Sequence, residues 1–127
     1  MRYLLDTHVL IWIYGGSDRL SPTVKSILSD ESNALSVSVA SLWEFAIKHS
    51  KGKLHFEGGL ERLYTLLELD GIDIISIEQT HLIALIQSAF THLDPFDRVI
   101  MATAKSENLI LLTTDKKIQH SDIRWLW

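Results

Sequence analysis

Four short apolar runs, "YLL" at 3–5, "NALSV" at 33–37, "IDIISI" at 72–77 and "LILLT" at 109–113, are separated by longer segments whose apolar residues recur at helical spacing. Short apolar strands alternating with helices imply βαβ units, and therefore a parallel sheet covered on both faces. An all-helical bundle would leave these runs unexplained. Helices are expected at 7–15 ("THVLIWIYG"), from Ser21 as cap with Pro22 behind it to 31, at 38–53, at about 59–69, in "QTHLIALIQSAF", and from Asp94 onward. A last strand is expected in "IRWLW".

The chain has 127 residues and shows no repeat, low-complexity tract or linker, so one domain spanning 1–127 is expected, large enough to bury a core without staples. With 46% hydrophobic and 22% charged residues it has the composition of an ordinary globular protein. It contains no cysteine, which excludes a disulfide framework and a thiolate metal site. Asp6 and His8 interrupt the apolar N-terminus, which is too short for a membrane span and lacks a signal-peptide cleavage pattern. A cytoplasmic protein with no membrane partner is expected. The formal charge of −4 argues against a broad electrostatic grip on nucleic acid, though not against a local one. The cations of "KHSKGK", 48–53, read as a helix C-terminus with Gly52 as its stop, and Lys116 and Lys117 form a second small cluster.

In open sheets of this kind ligands bind outside the carboxyl ends of the strands. Two runs end there in aspartate: "RYLLD" delivers Asp6 and "LILLTTD" delivers Asp115. Each also suits the cap of the helix that follows. In "HLDPFDRVIMATA", Asp94 suits an N-cap, Pro95 the first helical position, and Asp97 the acid of a capping box that reaches back. Asp94 also stands at i,i+4 from Arg98, the spacing of a weak ion pair. Asp97 shares a helical face with Ile100, Met101 and Ala104, so its carboxylate is expected to point inward and to need a partner. Glu44 is the one charged residue in "LWEFAI". Its face also holds Ser41, Lys48 and Lys51, so a solvated stripe with a Glu44–Lys48 pair and an acid leaning over the sheet edge fit equally well.

Carboxylates about 5 Å apart repel by roughly 3 kcal/mol per pair at an effective dielectric near 20. Several together oppose a sum on the order of a domain's whole stability, roughly 5 to 15 kcal/mol. If these acids converge, some are protonated or a cation sits among them. An all-oxygen site selects a hard ion, Mg²⁺ or Mn²⁺. His8, at the start of a helix, reads as structural or as a substrate contact. Histidines 49, 55, 81, 92 and 120 show no paired ligand spacing, which argues against zinc. Trp12 and Trp43 are expected in the core, and Trp125 and Trp127 in a terminal strand at a sheet edge, a dimer contact or a base-stacking contact with RNA.

"LLDTHVLIW", "SLWEFAIK", "DPFDRVIMATA" and "LLTTD", in this order and spacing, resemble a PIN-domain protein of the VapC toxin type over nearly the whole chain. The resemblance implies a three-layer α/β/α sandwich on a mostly parallel sheet, and a Mg²⁺- or Mn²⁺-dependent endoribonuclease. It also implies a homodimer and inhibition by a small cognate antitoxin. By motif, Asp6, Glu44, Asp97 and Asp115 match the family's acidic catalytic and metal-binding set, with Asp94 as a further candidate ligand. Thr113 matches a position near the site whose hydroxyl could hold a water or an acid. His8, Lys48 and Arg98 join Thr113 as candidate substrate contacts. The rival readings are a structure-specific DNA nuclease, disfavoured because no DNA-clamping insertion is recognisable, and a non-catalytic α/β interaction module whose acids are only caps. A phosphoacceptor receiver domain would need adjacent acids after its first strand, and Asp6 has no acidic neighbour.

Overall fold

A computed structural model of the chain describes residues 1–92 and 94–127. Strands β1 (Arg2–Leu5), β2 (Ala34–Ser38), β3 (Asp73–Ile75), β4 (Ile110–Leu112) and β5 (Trp125–Leu126) form one sheet of order β3-β2-β1-β4-β5. All four pairings are parallel, as the alternation of short apolar runs with helices requires. Helices α1 (Thr7–Gly15), α2 (Pro22–Ser29), α3 (Val39–Ser50), α4 (Gly59–Leu69), α5 (Gln79–Gln87), α6 (Pro95–Ser106) and α7 (Lys116–Gln119) make the connections.

The period of two along a strand divides the core into two layers. Tyr3 and Leu5 of β1, with Ile110 and Leu112 of β4, point into a cluster with Val9 and Leu10 of α1, Val24 of α2, Phe45 of α3 and Leu63 and Leu67 of α4. Leu4 and Leu111, between them, point the other way onto Ile100, Met101 and Ala104 of α6 and Ile118 of α7. The product is a three-layer α/β/α fold. The central strand β1 is covered on both faces, and its three C-terminal residues are buried.

Several elements are shorter than their apolar patterns. The terminal strand keeps only Trp125 and Leu126, and α3 stops at Ser50, with Gly52 at φ 70° turning the chain after it. The helix expected over 79–90 ends at Gln87. Trp43 is not a core residue: it is 57% exposed and meets Phe96 of α6 edge-on, ring centroids 5.0 Å apart. The buried positions of α3 are Ala40, Ser41, Leu42, Glu44 and Phe45, which leaves Trp43 on the outward line of that helix. Trp12 is half-buried, packed edge-on against Trp127 with Arg19 over its ring. Among the described residues no helix is long and apolar enough to cross a membrane.

Candidate functional site

The carboxyl ends of β1 and β4 lie side by side, joined by a hydrogen bond from the Asp6 N–H to the Leu112 carbonyl at 3.1 Å. Asp6 follows β1 directly and caps α1, its Oδ1 accepting the Thr7 N–H at 2.7 Å. Its Oδ2 accepts the Thr113 hydroxyl at 2.7 Å, and the same hydroxyl oxygen accepts the Asp115 N–H at 3.0 Å. Thr113 is fully buried, so it holds an acid and does not face a substrate. Asp115 caps α7 through the Lys117 N–H at 2.8 Å. Both strand-end aspartates are therefore caps and, at the same time, members of one polar cluster.

Glu44 reaches this edge from α3. The Thr7 hydroxyl donates to Ser41 at 3.0 Å and ties the start of α1 to α3 one turn before Glu44. Glu44 is buried, with 6% exposure. Its Oε2 pairs with Lys48 at 2.9 Å, and its Oε1 has no hydrogen-bond partner among the described residues. Both sequence readings of Glu44 are realised together: the Lys48 pair forms, and the acid is buried at the sheet edge.

At the start of α6, Asp94 is the N-cap, accepting the Asp97 N–H at 3.0 Å, with Pro95 in the first turn. The rest of the expected capping box does not form. The Asp94 N–H donates to Nδ1 of His92 at 3.2 Å, an acceptor nearer in sequence than the Asp97 carboxylate. Asp97 is thereby freed to point inward, its Oδ2 3.0 Å from His92 Nε2. Among the described residues Asp94 and Arg98 form no ion pair, and Arg98 Nε is buried without a partner. His92 Nε2 also lies 3.0 Å from Asp115 Oδ2.

The groups that stand closest together differ from the expected set. His92, Asp97 and Asp115 each offer a ligand atom within 4.8 Å of the others. Asp6 and Glu44 stand beside this trio without joining it at that spacing, but their charges reach Asp97. His92 is the member of this trio that sequence reasoning missed. The signal is its place two residues ahead of a capping aspartate that precedes proline, from which an imidazole can take the cap N–H. Spacing rules for paired ligands on a helix do not apply to a histidine in a loop. Of the other candidate contacts, His8 is exposed beside Trp12, and Lys48 and Arg98 are half-buried.

Electrostatics show the strain of this arrangement. Burial first, then the charges of Asp6, Asp94 and Glu44, against the opposing effect of His92, push Asp97 up to about 7. Asp6 is raised as well, by burial above all and by Glu44, against the hydrogen bonds from Thr113 and Thr7. Asp115 is lowered: burial raises it, but the bond from His92 and the Lys117 N–H outweigh burial. A buried carboxylate oxygen without a partner among the described residues, and a carboxyl raised by burial and by neighbouring acids, both call for added positive charge. The groups gathered here are mainly carboxylates, with one imidazole among them, and carboxylate oxygens fit a hard divalent ion.

The family model for the PIN domain matches residues 3–123. The chain belongs to the PIN domain family. The PIN fold is also shared with solved structures of low sequence identity. A chain of VapBC2 from Rickettsia felis, crystallised on a DNA fragment from its promoter, superposes with a TM-score of 0.73 at 18% identity, covering 99% of this chain and 98% of that one. DNA-bound VapBC from Salmonella typhimurium gives 0.72 at 18% identity, with coverage of 99% and 97%. FitAcB from Neisseria gonorrhoeae gives 0.66 at 21% identity, with coverage of 100% and 97%. None of the curated proteins matches this PIN domain chain.

Proposed function

We propose that this chain is a divalent-cation-dependent endoribonuclease of the VapC toxin type, acting in the cytoplasm as a homodimer and neutralised by a small cognate antitoxin. The observation that carries the reading is the gathering of Asp6, Glu44, Asp97 and Asp115 at the carboxyl ends of β1 and β4 with too little positive charge to balance them. The antitoxin is supported by the likeness to chains of VapBC and FitAcB.

In this reading Asp6, Glu44, Asp97 and Asp115 hold Mg²⁺ or Mn²⁺, and Asp94 serves α6 as its cap. When bound, the ion neutralises charge on a phosphate oxygen and lowers the pKa of an attacking water. Asp6 is fixed in one orientation by Thr7 and Thr113, so it cannot turn away when the site is loaded. Asp97 is the acid whose proton must leave before loading, because burial and then the neighbouring acids hold it near 7. His8, Lys48 and Arg98 supply contacts to RNA phosphates. Water adds to phosphorus, the bond to the 3′ oxygen breaks, and the products carry a 5′-phosphate and a 3′-hydroxyl.

The test is cleavage of end-labelled structured RNA by purified, antitoxin-free protein in Mg²⁺, Mn²⁺ or EDTA, beside Asp97→Asn. Cuts that require metal and vanish in the variant support the nuclease. Cuts retained by the variant, or none with any RNA, would return the acids to a role as helix caps in an interaction module.

A further inference from the structure

His92 is buried, and the contacts of its two ring nitrogens fix where its proton lies. The Asp94 N–H donates to Nδ1 at 3.2 Å, so that nitrogen presents a lone pair and carries no hydrogen. The ring proton therefore sits on Nε2. Its hydrogen bond runs to Asp115 Oδ2 at 3.0 Å, and Asp97 Oδ2 lies at the same 3.0 Å from the nitrogen. Pro95 helps set this up: a residue before proline favours extended backbone, and Asp94 stands at φ −68°, ψ 120°, with its N–H turned back toward the ring.

We propose that His92 is a positioning residue of the metal centre, whose Nε2–H draws Asp115 of α7 against Asp97 of α6, and that it is not itself a ligand to the ion these acids hold. An imidazole ligates through a bare nitrogen. Nδ1 has spent its lone pair on the cap of α6, and Nε2 carries the proton. Ligation would require moving that proton to Nδ1, where it would face the Asp94 N–H, donor against donor, and the cap amide would lose its acceptor. Asp115 meanwhile accepts from Lys117 on Oδ1 and from His92 on Oδ2, so it enters the site already oriented.

The chain uses the same device elsewhere, where no second acid is drawn in. The Glu78 N–H donates to His81 Nδ1 at 3.0 Å at the start of α5, and His81 Nε2 lies 2.8 Å from Glu107 Oε1. At His81 one carboxylate is held and the result is a capped helix. At His92 two acids from the starts of α6 and α7 meet one nitrogen, and the result is half of the site.

The proposal rests on reading these acids as a divalent-ion site, and two measurements keep the two claims apart. In isotope-labelled, metal-free protein, correlation of the imidazole nitrogens with their protons should show His92 protonated at Nε2, unchanged when Mg²⁺ is added. Protonation at Nδ1, or loss of the Nε2 proton on adding Mg²⁺, overturns the proposal. Separately, Mn²⁺ affinity is measured without RNA for His92→Phe and His92→Gln. The Phe variant should bind about 10- to 100-fold more weakly. Gln, whose carbonyl can take the Asp94 N–H and whose amide can reach Asp115, should recover most of the loss. Equal affinity for Phe and wild type, or a Gln variant as weak as Phe, overturns the clamp alone, whereas wild-type protein that binds neither ion overturns the metal site with it. If the Phe variant does not fold, the Gln variant and the ring-nitrogen correlation decide.

Discussion

The Thr113 hydroxyl donates to Asp6 Oδ2 at 2.7 Å, across 107 positions of sequence, and accepts the Asp115 N–H on its oxygen. One buried hydroxyl thus sets the orientation of an acid after β1 and the start of the helix after β4. Thr113→Val keeps the shape and deletes both bonds, leaving a buried carboxylate oxygen and a half-buried amide unpaired. The expected cost in denaturant unfolding is about 1–3 kcal/mol, with weaker Mn²⁺ binding. Thr113→Ser should recover both, because the oxygen is what these partners use.

Asp97→Asn should separate function from stability. At about pH 8 the Asp97 carboxyl of the metal-free protein is ionised among Asp6, Asp94 and Glu44. Removing its charge relieves repulsion on the order of 1–3 kcal/mol, the worth of one close carboxylate pair at an effective dielectric near 20. The metal-free variant should therefore melt above wild type at that pH. Addition of Mn²⁺ should raise the melting temperature of wild type and leave the variant where it was. A variant that melts below wild type without metal would show that Asp97 is not held under repulsion.

The pH dependence follows from the same residue. Asp97 titrates near 7 in the folded chain and in the ordinary carboxylate range when unfolded. Between those values the folded state binds the extra proton, so its contribution is favourable at low pH and is lost as pH rises through about 7. Asp6, raised by burial, acts in the same direction, and Asp115, lowered, acts in the opposite one. Ion binding needs the carboxylate ionised. Mn²⁺ affinity should therefore climb roughly tenfold per pH unit below about 7 and level off above it. Titration calorimetry from about pH 5.5 to 8.5 measures both the slope and the break.

Much of this arrangement was legible in the sequence because it is local. The β1 run ends at Asp6, the Asp94–Pro95 pair starts α6, and the alternation of runs dictates parallel pairing; none of these needs a distant partner. Periodicity misplaces Trp43 because it tells which residues share a face and not which face the fold covers. His92 was missed for a different reason. Its meaning depends on Asp115, 23 positions away at the cap of α7, and on the cap amide of α6, which the His92 ring takes ahead of Asp97. Glu44 stayed open between two readings because a helix wheel places it beside Lys48 either way. Only the docking of α3 through Ser41 and Thr7 turns it toward the sheet edge.

Glu44 and Lys48 therefore make the sharpest mutational pair. Glu44 is buried, with Oε2 on Lys48 at 2.9 Å and Oε1 unpartnered among the described residues. If the pair were only a helix-surface contact, either substitution would cost a few tenths of a kcal/mol and leave ion binding alone. As part of a metal centre the two act with opposite signs. Glu44→Gln removes a ligand charge while keeping an oxygen for Lys48, and should weaken Mn²⁺ binding by about tenfold or more. Lys48→Met removes a cation that competes for the same carboxylate and repels the incoming ion, and should tighten binding. Mn²⁺ affinities measured for both variants under one buffer condition test this. Shifts of the same sign would show that Lys48 helps to build the site and does not compete for it.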